Sequence, residues 1–374
     1  MTKVLFLTNI PMIRQHRIDM YVDAIAKHFD VELWDLSQIY GNNEILNEMV
    51  QECIKIKDIN LFSEKLKEIK LDNEVFVITN ILLHNLKSIY PILHRLNIPI
   101  ININKDSSAA WMYSRGAICH IKMVGLKKFA KAFIHHNPIL RRLLSYYRNG
   151  NVKYDFQLAS YNFYPEDSRC FVKIHNIKYD EFRASQNEQS IISGDYILFI
   201  DAALADHPMF SKFKNGLNRS KYLTQLNQYF AELENKYGMP VVISAHPKSN
   251  YSQEDFPRRQ IISYKTPVLI RFAKYIVAHY STSLYDVILQ KKPLKVLYSR
   301  DMLQSACYNT VITGIQVANY IAAECVDLDR ATQNDFFVSE KEYEMFTKRF
   351  LLNEDKMTQS NGDLIISFLK DLQE

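Results

Sequence analysis

The chain has 374 residues, enough for two ordinary domains, of which 47% are hydrophobic and 23% charged. That balance excludes an intrinsically disordered chain, and only 9 Gly and 11 Pro leave little room for long linkers or low-complexity tracts. The net charge is +5, and the cysteines (Cys53, Cys119, Cys170, Cys307, Cys325) are scattered without any CxxC, which argues against a zinc site or a disulfide framework and fits a reducing compartment.

The elements alternate from the start. KVLFLTN (3–9) reads as a first β-strand, its apolar run being too short for a signal peptide. A helix is expected over about 17–29, a strand over VELWDLS (31–37), helical pattern over about 43–70, and a strand at EVFVITN (74–80). A helix over LLHNLKSIYPILHRL and strands at IPIININ (98–104) and YDFQLAS (154–160) follow, with 172–182 as a connector. The pattern then restarts: strand DYILFID (195–201), a long helix 218–237 capped by Gly238, strand VVISAHP, a short helix opened by Thr266 and Pro267, strand KYIVAH (274–279), then a helix from STSLYDVILQ. Strands KPLKVLYS (292–299) and CVDLD (325–329) and two terminal helical stretches complete the chain.

Strands alternating with helices predict an α/β protein with parallel sheets: an N-terminal domain over 1–185, a second over 190–330, and helices in 338–374 packing back on the body. No GxGxxG or GxxxxGK[ST] follows a strand, so dinucleotide and P-loop readings are weak. The ligand is expected beyond the carboxyl ends of the strands, in a cleft between the two sheets.

Three elements fall at strand ends of the second half: FIDAALADHP with Asp201, Asp206, His207 and Pro208; AHPKSNY with His246, Pro247, Lys248, Ser249 and Asn250; and AHYSTSLYD with His279, Ser281, Thr282 and Ser283. Hydroxyls and free N–H groups where a helix begins bind phosphate or carboxylate, although plain N-capping by Ser281 or Thr282 accounts for the same pattern. His246 can donate to a phosphate oxygen or protonate a leaving group, Pro247 fixes the turn after it, and Lys248 adds charge.

An HP dipeptide ending a strand, followed by a Ser/Thr cluster opening a helix, resembles the pattern of bacterial sialyltransferases and polysialyltransferases and of Kdo transferases of capsule and lipopolysaccharide. The run from YILFIDAALADHP through AHPKSNY to IVAHYSTSLYDVILQKKPLKVL also resembles sugar transferases of surface-glycan loci, including those for pseudaminic or legionaminic acid. The resemblance implies a GT-B fold: two Rossmann-like domains with parallel sheets facing a central cleft. It implies a CMP-activated 2-keto sugar acid as donor and a glycan or lipid-linked glycan as acceptor. His246, Pro247, Lys248, Ser281, Thr282 and Ser283 would hold the CMP phosphate, and no metal would be required because the leaving group is a phosphate monoester. The acidic-acidic-Gly motif that supplies the general base in sialyltransferases is missing here; Asp201 and Asp106 are then equal candidates for the catalytic carboxylate, with Asp206 behind them. A nucleoside-diphosphate sugar donor, polyol-phosphate transfer and a non-catalytic anion-binding protein remain as alternatives.

One further stretch stands apart. From Ser107 to Tyr154 there is no Asp or Glu and there are nine Lys or Arg, interleaved with aromatic and aliphatic residues. Such a segment suits an anionic membrane surface, a solvated basic face or a groove for an anionic substrate. Nothing resembles a nucleic-acid-binding motif. No 18-residue apolar stretch predicts a transmembrane helix. The chain is therefore expected in the cytoplasm, peripheral to the inner face of the membrane if the basic stretch binds lipid.

Overall fold

The computed structural model describes residues 2–42, 50–104, 138–163, 165–207, 210, 215–330 and 334–374, with backbone alone at 138–142. The described residues form two units, one built from those up to 104 with 138–177 and 352–374, the other from 178–351.

The first unit begins with β1 (Thr2–Thr8), followed by two short helices, α1 (Arg14–Asp19) and α2 (Val22–Ile25). A single helix was expected here. Tyr21 sits in the left-handed region at φ 56 and breaks it. Next come β2 (Asp30–Asp35), the two-residue β3 (Ile54–Lys55), α3 (Ile59–Asp72) capped by Asp58, and β4 (Glu74–Thr79). The helix expected over 82–96 is also two, α4 (Leu83–Leu86) and α5 (Tyr90–Arg95). Pro91 cannot donate into a preceding turn and so sits in the first turn of α5. After β5 (Ile100–Ile103) the description resumes at α6 (Pro138–Asn149), followed by β6 (Tyr154–Ala159) and β7 (Ser168–Lys173); the next helix, α7 (Ile177–Ser185), belongs to the second unit from residue 178 on. The stretch read as a connector thus holds the end of a seventh strand and a helix.

All pairings in this sheet are parallel, in the order β3-β2-β1-β4-β5-β6-β7. Both faces are covered, which explains the unbroken apolar runs of its central strands. Val4 and Phe6 point to one side, with Met20 and Ile25; Leu5 and Leu7 point to the other, with Phe62, Leu66 and Leu93.

The second unit runs β8 (Ile197–Ile200), α8 (Arg219–Tyr237), β9 (Val241–Ala245), β10 (Ile261–Ser263), α9 (Thr266–Phe272), β11 (Tyr275–Ala278), α10 (Leu284–Leu289), β12 (Leu294–Tyr298), α11 (Arg300–Gln304), α12 (Tyr308–Tyr320), β13 (Glu324–Asp327) and α13 (Glu340–Phe346). Gly238 ends α8 at φ 64, a left-handed cap that its missing Cβ permits. The sheet is again parallel, ordered β10-β9-β8-β11-β12-β13. Strand order therefore reverses between β8 and β11, the switch point beside which α/β sheets bind ligands. Two parallel Rossmann-like sheets in series are the layout of the GT-B class.

The last helix, α14 (Asn361–Asp371), belongs to the first unit and lays Ile365 and Leu369 on the β1 face with Val4 and Phe6. It is anchored by Asn361, which is fully buried: its amide donates to Tyr21 Oη (2.9 Å) and the His175 carbonyl (3.1 Å), and its oxygen accepts from the His175 N–H (2.8 Å). Replacing this amide removes a partner from each of two buried backbone groups of His175. Asn361→Ala should lower stability by about 2–4 kcal/mol, read as a shift of the urea midpoint for the first unit; a change under about 1 kcal/mol would contradict the anchoring role.

Candidate functional site

Three neighbouring strands bring the candidate residues to one sheet edge. Ile200 pairs with Ser244 on one side and Ala278 on the other, so Asp201, His246 and His279 all emerge at the carboxyl ends of β8, β9 and β11. Asp201 is 2% exposed and its carboxylate accepts four hydrogen bonds. Oδ1 takes the Ala203 N–H (3.0 Å) and the Tyr251 hydroxyl (3.1 Å); Oδ2 takes the His246 N–H (3.2 Å) and the Ser249 hydroxyl. A carboxylate offers about four lone-pair sites, and here each has a donor.

The AHPKSNY loop is folded around that carboxylate. The Ser249 N–H closes a turn onto the His246 carbonyl (2.8 Å), with Pro247 at the position whose fixed φ suits it. The Lys248 N–H donates to His246 Nδ1 (3.1 Å). With Nδ1 engaged as an acceptor, the neutral ring carries its proton on Nε2. Burial lowers the His246 pKa below 6.5 and Lys248 lowers it further, against an opposing pull from Asp201, so the ring is neutral at pH 7 and presents an Nε2–H donor.

Beside it lies His207, its ring 5.8 Å from that of His246 and its Nε2 3.3 Å from Lys248 Nζ. Burial, then Lys248 and His246, lower its pKa as well. Two imidazoles and an ammonium therefore cluster at the end of β9, half-exposed or exposed. Pro208 lies outside the described residues.

A second brace comes from Arg219, in the first turn of α8. It binds Asp255 with both terminal nitrogens (2.7 and 2.9 Å), donates through Nε to Asp206 (2.9 Å) and reaches the Asn250 carbonyl (3.3 Å). It holds the Asp255 carboxyl below the usual carboxylate range. Asp206, the third-ranked candidate carboxylate, is thus engaged by Arg219 and by the Asn250 N–H (3.4 Å).

The third element divides. His279 is 1% exposed and edge-on to Phe199; its Nδ1–H donates to the Leu297 carbonyl (3.0 Å), and burial pushes its pKa down to about 4. It is a neutral core residue. Of the hydroxyls, Ser281 Oγ accepts from the Ser283 N–H (3.3 Å), while Thr282 is exposed. Ser281 thus closes a local turn ahead of α10, whose N-cap residue is Ser283 with no side-chain cap bond, and Thr282 is the side chain left facing solvent. Further along α10, Asp286 is fully buried with neither oxygen hydrogen-bonded; burial raises its pKa to about 8, opposed by Lys178 at 3.9 Å, so it is protonated at pH 7.

Asp106 lies outside the described residues, as does most of the basic stretch. The chain has one Asp-x-Asp triplet, Asp327 to Asp329, at the end of β13. Its groups serve the loop: Asp327 Oδ1 accepts from the Asp329 N–H (3.0 Å), and Asp329 accepts from Gln225 (2.8 Å) and the Arg300 N–H (2.7 Å). Among the described residues no three His, Cys, Asp or Glu side chains stand close enough to hold a metal.

No protein-family model and no curated protein matches the chain. Among solved structures it is similar to the spinosyn forosaminyltransferase SpnP (10% identity, all of both chains, TM-score 0.48). It is also similar to Os79 from O. sativa in complex with UDP (10%, 99% of this chain and 100% of that one, 0.47) and to Phytolacca americana UGT2 complexed with UDP-2fluoro-glucose and pterostilbene (10%, 100% and 94%, 0.46). Likeness at this level decides neither donor nor reaction.

Removing the Asp201 carboxylate leaves four donors, three of them on the AHPKSNY loop, without an acceptor. Asp201→Ala should cost about 3–5 kcal/mol in the second unit, whereas Tyr251→Phe, which removes one donor only, should cost about 1 kcal/mol; equal losses in denaturant titrations would contradict the organising role of the carboxylate.

Proposed function

We propose that the chain is a glycosyltransferase that holds the phosphate of an activated sugar at the carboxyl edge of its second sheet. The observation that carries this reading is the His246 ring: fixed in place by its own backbone bond to Asp201, forced into the Nε2–H form by the Lys248 N–H, and flanked by the Lys248 ammonium and His207. A neutral, immobilised donor next to a cation is suited to an oxygen on which negative charge grows as the glycosidic bond breaks, and preorganised donors of this kind supply large catalytic terms. Lys248 adds charge, Pro247 sets the turn, and Thr282 with Ser283 follows β11, which lies two strands from β9 in the sheet.

For the donor we infer a CMP-activated nonulosonic acid, of the sialic, pseudaminic or legionaminic kind, transferred to a cell-surface glycan in capsule or lipopolysaccharide assembly. This finer reading rests on the resemblance of the HP and Ser/Thr elements to CMP-ulosonate transferases. In it CMP leaves as a monoester, no metal takes part, and His246 Nε2–H donates to the departing phosphate oxygen. Asp201 acts through His246 rather than on the acceptor, since its lone pairs are occupied. Asp106, three residues past β5, is then the carboxylate we propose as base toward the acceptor hydroxyl. A nucleoside-diphosphate donor is the second reading, because the Lys248 ammonium and the neutral His246 N–H donor suit a diphosphate as well as a monoester.

His246→Ala should fold, since the side chain is not part of an apolar face, and should lower CMP release from the donor by about 10²–10⁴-fold. Turnover within about tenfold of wild type would remove His246 from the chemistry. Thermal-shift titration with CMP, UDP and GDP separates the donor readings: CMP should stabilise the protein at lower concentration than either diphosphate. Stabilisation by none of them would leave a non-catalytic anion-binding protein.

We also propose that the segment 107–154 docks the enzyme on an anionic membrane surface, beside a lipid-linked acceptor. Among the described residues no helix is long and apolar enough to cross a membrane. On α6, however, Leu143, Leu144, Tyr146 and Tyr147 are 60, 43, 64 and 89% exposed, next to Arg148, in a stretch without a single acid. Each Lys or Arg near such a surface contributes about 1 kcal/mol, so a few in contact give reversible binding. In liposome co-sedimentation, binding should require anionic lipid, weaken with salt, and fall when Leu143, Leu144 and Tyr147 become Ser; equal binding to neutral liposomes would refute it.

A further inference from the structure

On the first unit, α5, the turn after it and the amino ends of β5, β6 and β7 border an open cavity of about 380 Å³, within the ~300–1,000 Å³ range of small-molecule sites. This is the sheet edge opposite the strand carboxyl ends. The wall is unusual in its balance. Arg169 ion-pairs through Nε with Asp155 (3.3 Å) and donates through Nη2 to Tyr90 Oη (3.3 Å), which fixes the guanidinium and leaves further N–H groups to donate. Asp155 is itself fixed, taking the Ile100 N–H on its other oxygen (2.9 Å). Asn97, held at φ 50, adds an amide with both a donor and an acceptor. Tyr90 and His94 lie one turn apart on α5 with ring centroids 5.7 Å apart.

The donor and acceptor groups decide what fits. An anion would meet the Asp155 carboxylate and a cation the Arg169 guanidinium, each already paired with the other. A ligand whose own groups both donate and accept, without net charge at that point, satisfies Arg169, Asp155 and Asn97 together. Vicinal hydroxyls do so, and the C–H faces of a pyranose ring lie flat on aromatic rings such as those of Tyr90 and His94. We infer that this cavity is a carbohydrate-binding subsite, separate from the phosphate site of the second sheet. On the glycosyltransferase reading, it holds residues of the acceptor glycan remote from the growing end. It would thereby tie the enzyme to a chain that it extends more than once.

Cys170, exposed in the cavity wall on the edge strand β7, provides the readout. The full-length protein is treated with iodoacetamide in the presence of lactose, chitobiose or sialyllactose, and Cys170 alkylation is followed by peptide mass spectrometry. A ligand at twice its Kd slows labelling about threefold, by the factor 1 + [L]/Kd. At least one of the three sugars should protect Cys170 saturably. The protection should be lost in Arg169→Ala, whose half-exposed side chain makes a folded variant expected, and in Tyr90→Ala, each checked by circular dichroism. No protection by any of the sugars, unchanged protection in both variants, or protection by CMP instead would overturn the inference. Because CMP binding to the second sheet is read separately by thermal shift, failure here leaves that reading standing, and its failure leaves this site.

Discussion

A carboxylate taken out of water must be given donors for its lone pairs, and Asp201 meets that requirement with the residues that follow two different strands. It ends β8, yet three of its four partners, His246, Ser249 and Tyr251, belong to the loop after β9. The penalty for leaving any of them unpaired in a buried setting is what fixes the loop, so the carboxylate acts as a template on which AHPKSNY is wound. Arg219 adds a second tie from α8 to both loops, through Asp206, Asp255 and the Asn250 carbonyl. The consequence is a histidine whose backbone and one ring nitrogen are both committed, leaving a single ring atom to meet a ligand.

Strand-terminal histidines with similar sequence surroundings have opposite fates. His279 follows Val277 on the face covered by α8 and α12, and so turns into the core beside Phe199 and Tyr222. His246 follows the last strand residue into a turn and remains half-exposed. AHP and AHY differ in that Pro247 forces a turn at once, and that difference was visible in the sequence. What could not be seen was that Asp201 is saturated, because an aspartate at a strand end has the same sequence signature whether it faces substrate or caps a neighbouring loop. Arg219 was equally hidden: nothing local marks it, since its partners lie 13 to 36 positions away.

The fold shows a similar division. Strands buried on both faces, KVLFLT, EVFVIT, ILFI and VVISA, announce themselves as apolar runs, and Gly238 marks the end of α8 as its left-handed cap requires. The strands that escaped were at the margins. β7 is an edge strand, SRCFVK, whose charged and exposed positions blur its alternation, and β10 is three residues long. The break at Tyr21 escaped for another reason: a non-glycine residue in the left-handed region leaves no mark in the hydrophobic pattern on either side.

The central claim is that the fold holds His246 as a neutral ring protonated on Nε2. Nitrogen-15 NMR of the histidine side chains reads this directly, since the two ring nitrogens of each neutral tautomer resonate far apart. The account predicts that His246 gives the Nε2–H pattern at neutral pH. Its titration should lie below 6.5, because burial disfavours the charged ring and the Lys248 charge adds to that. An Nδ1–H pattern, or a midpoint above 6.5, would contradict it.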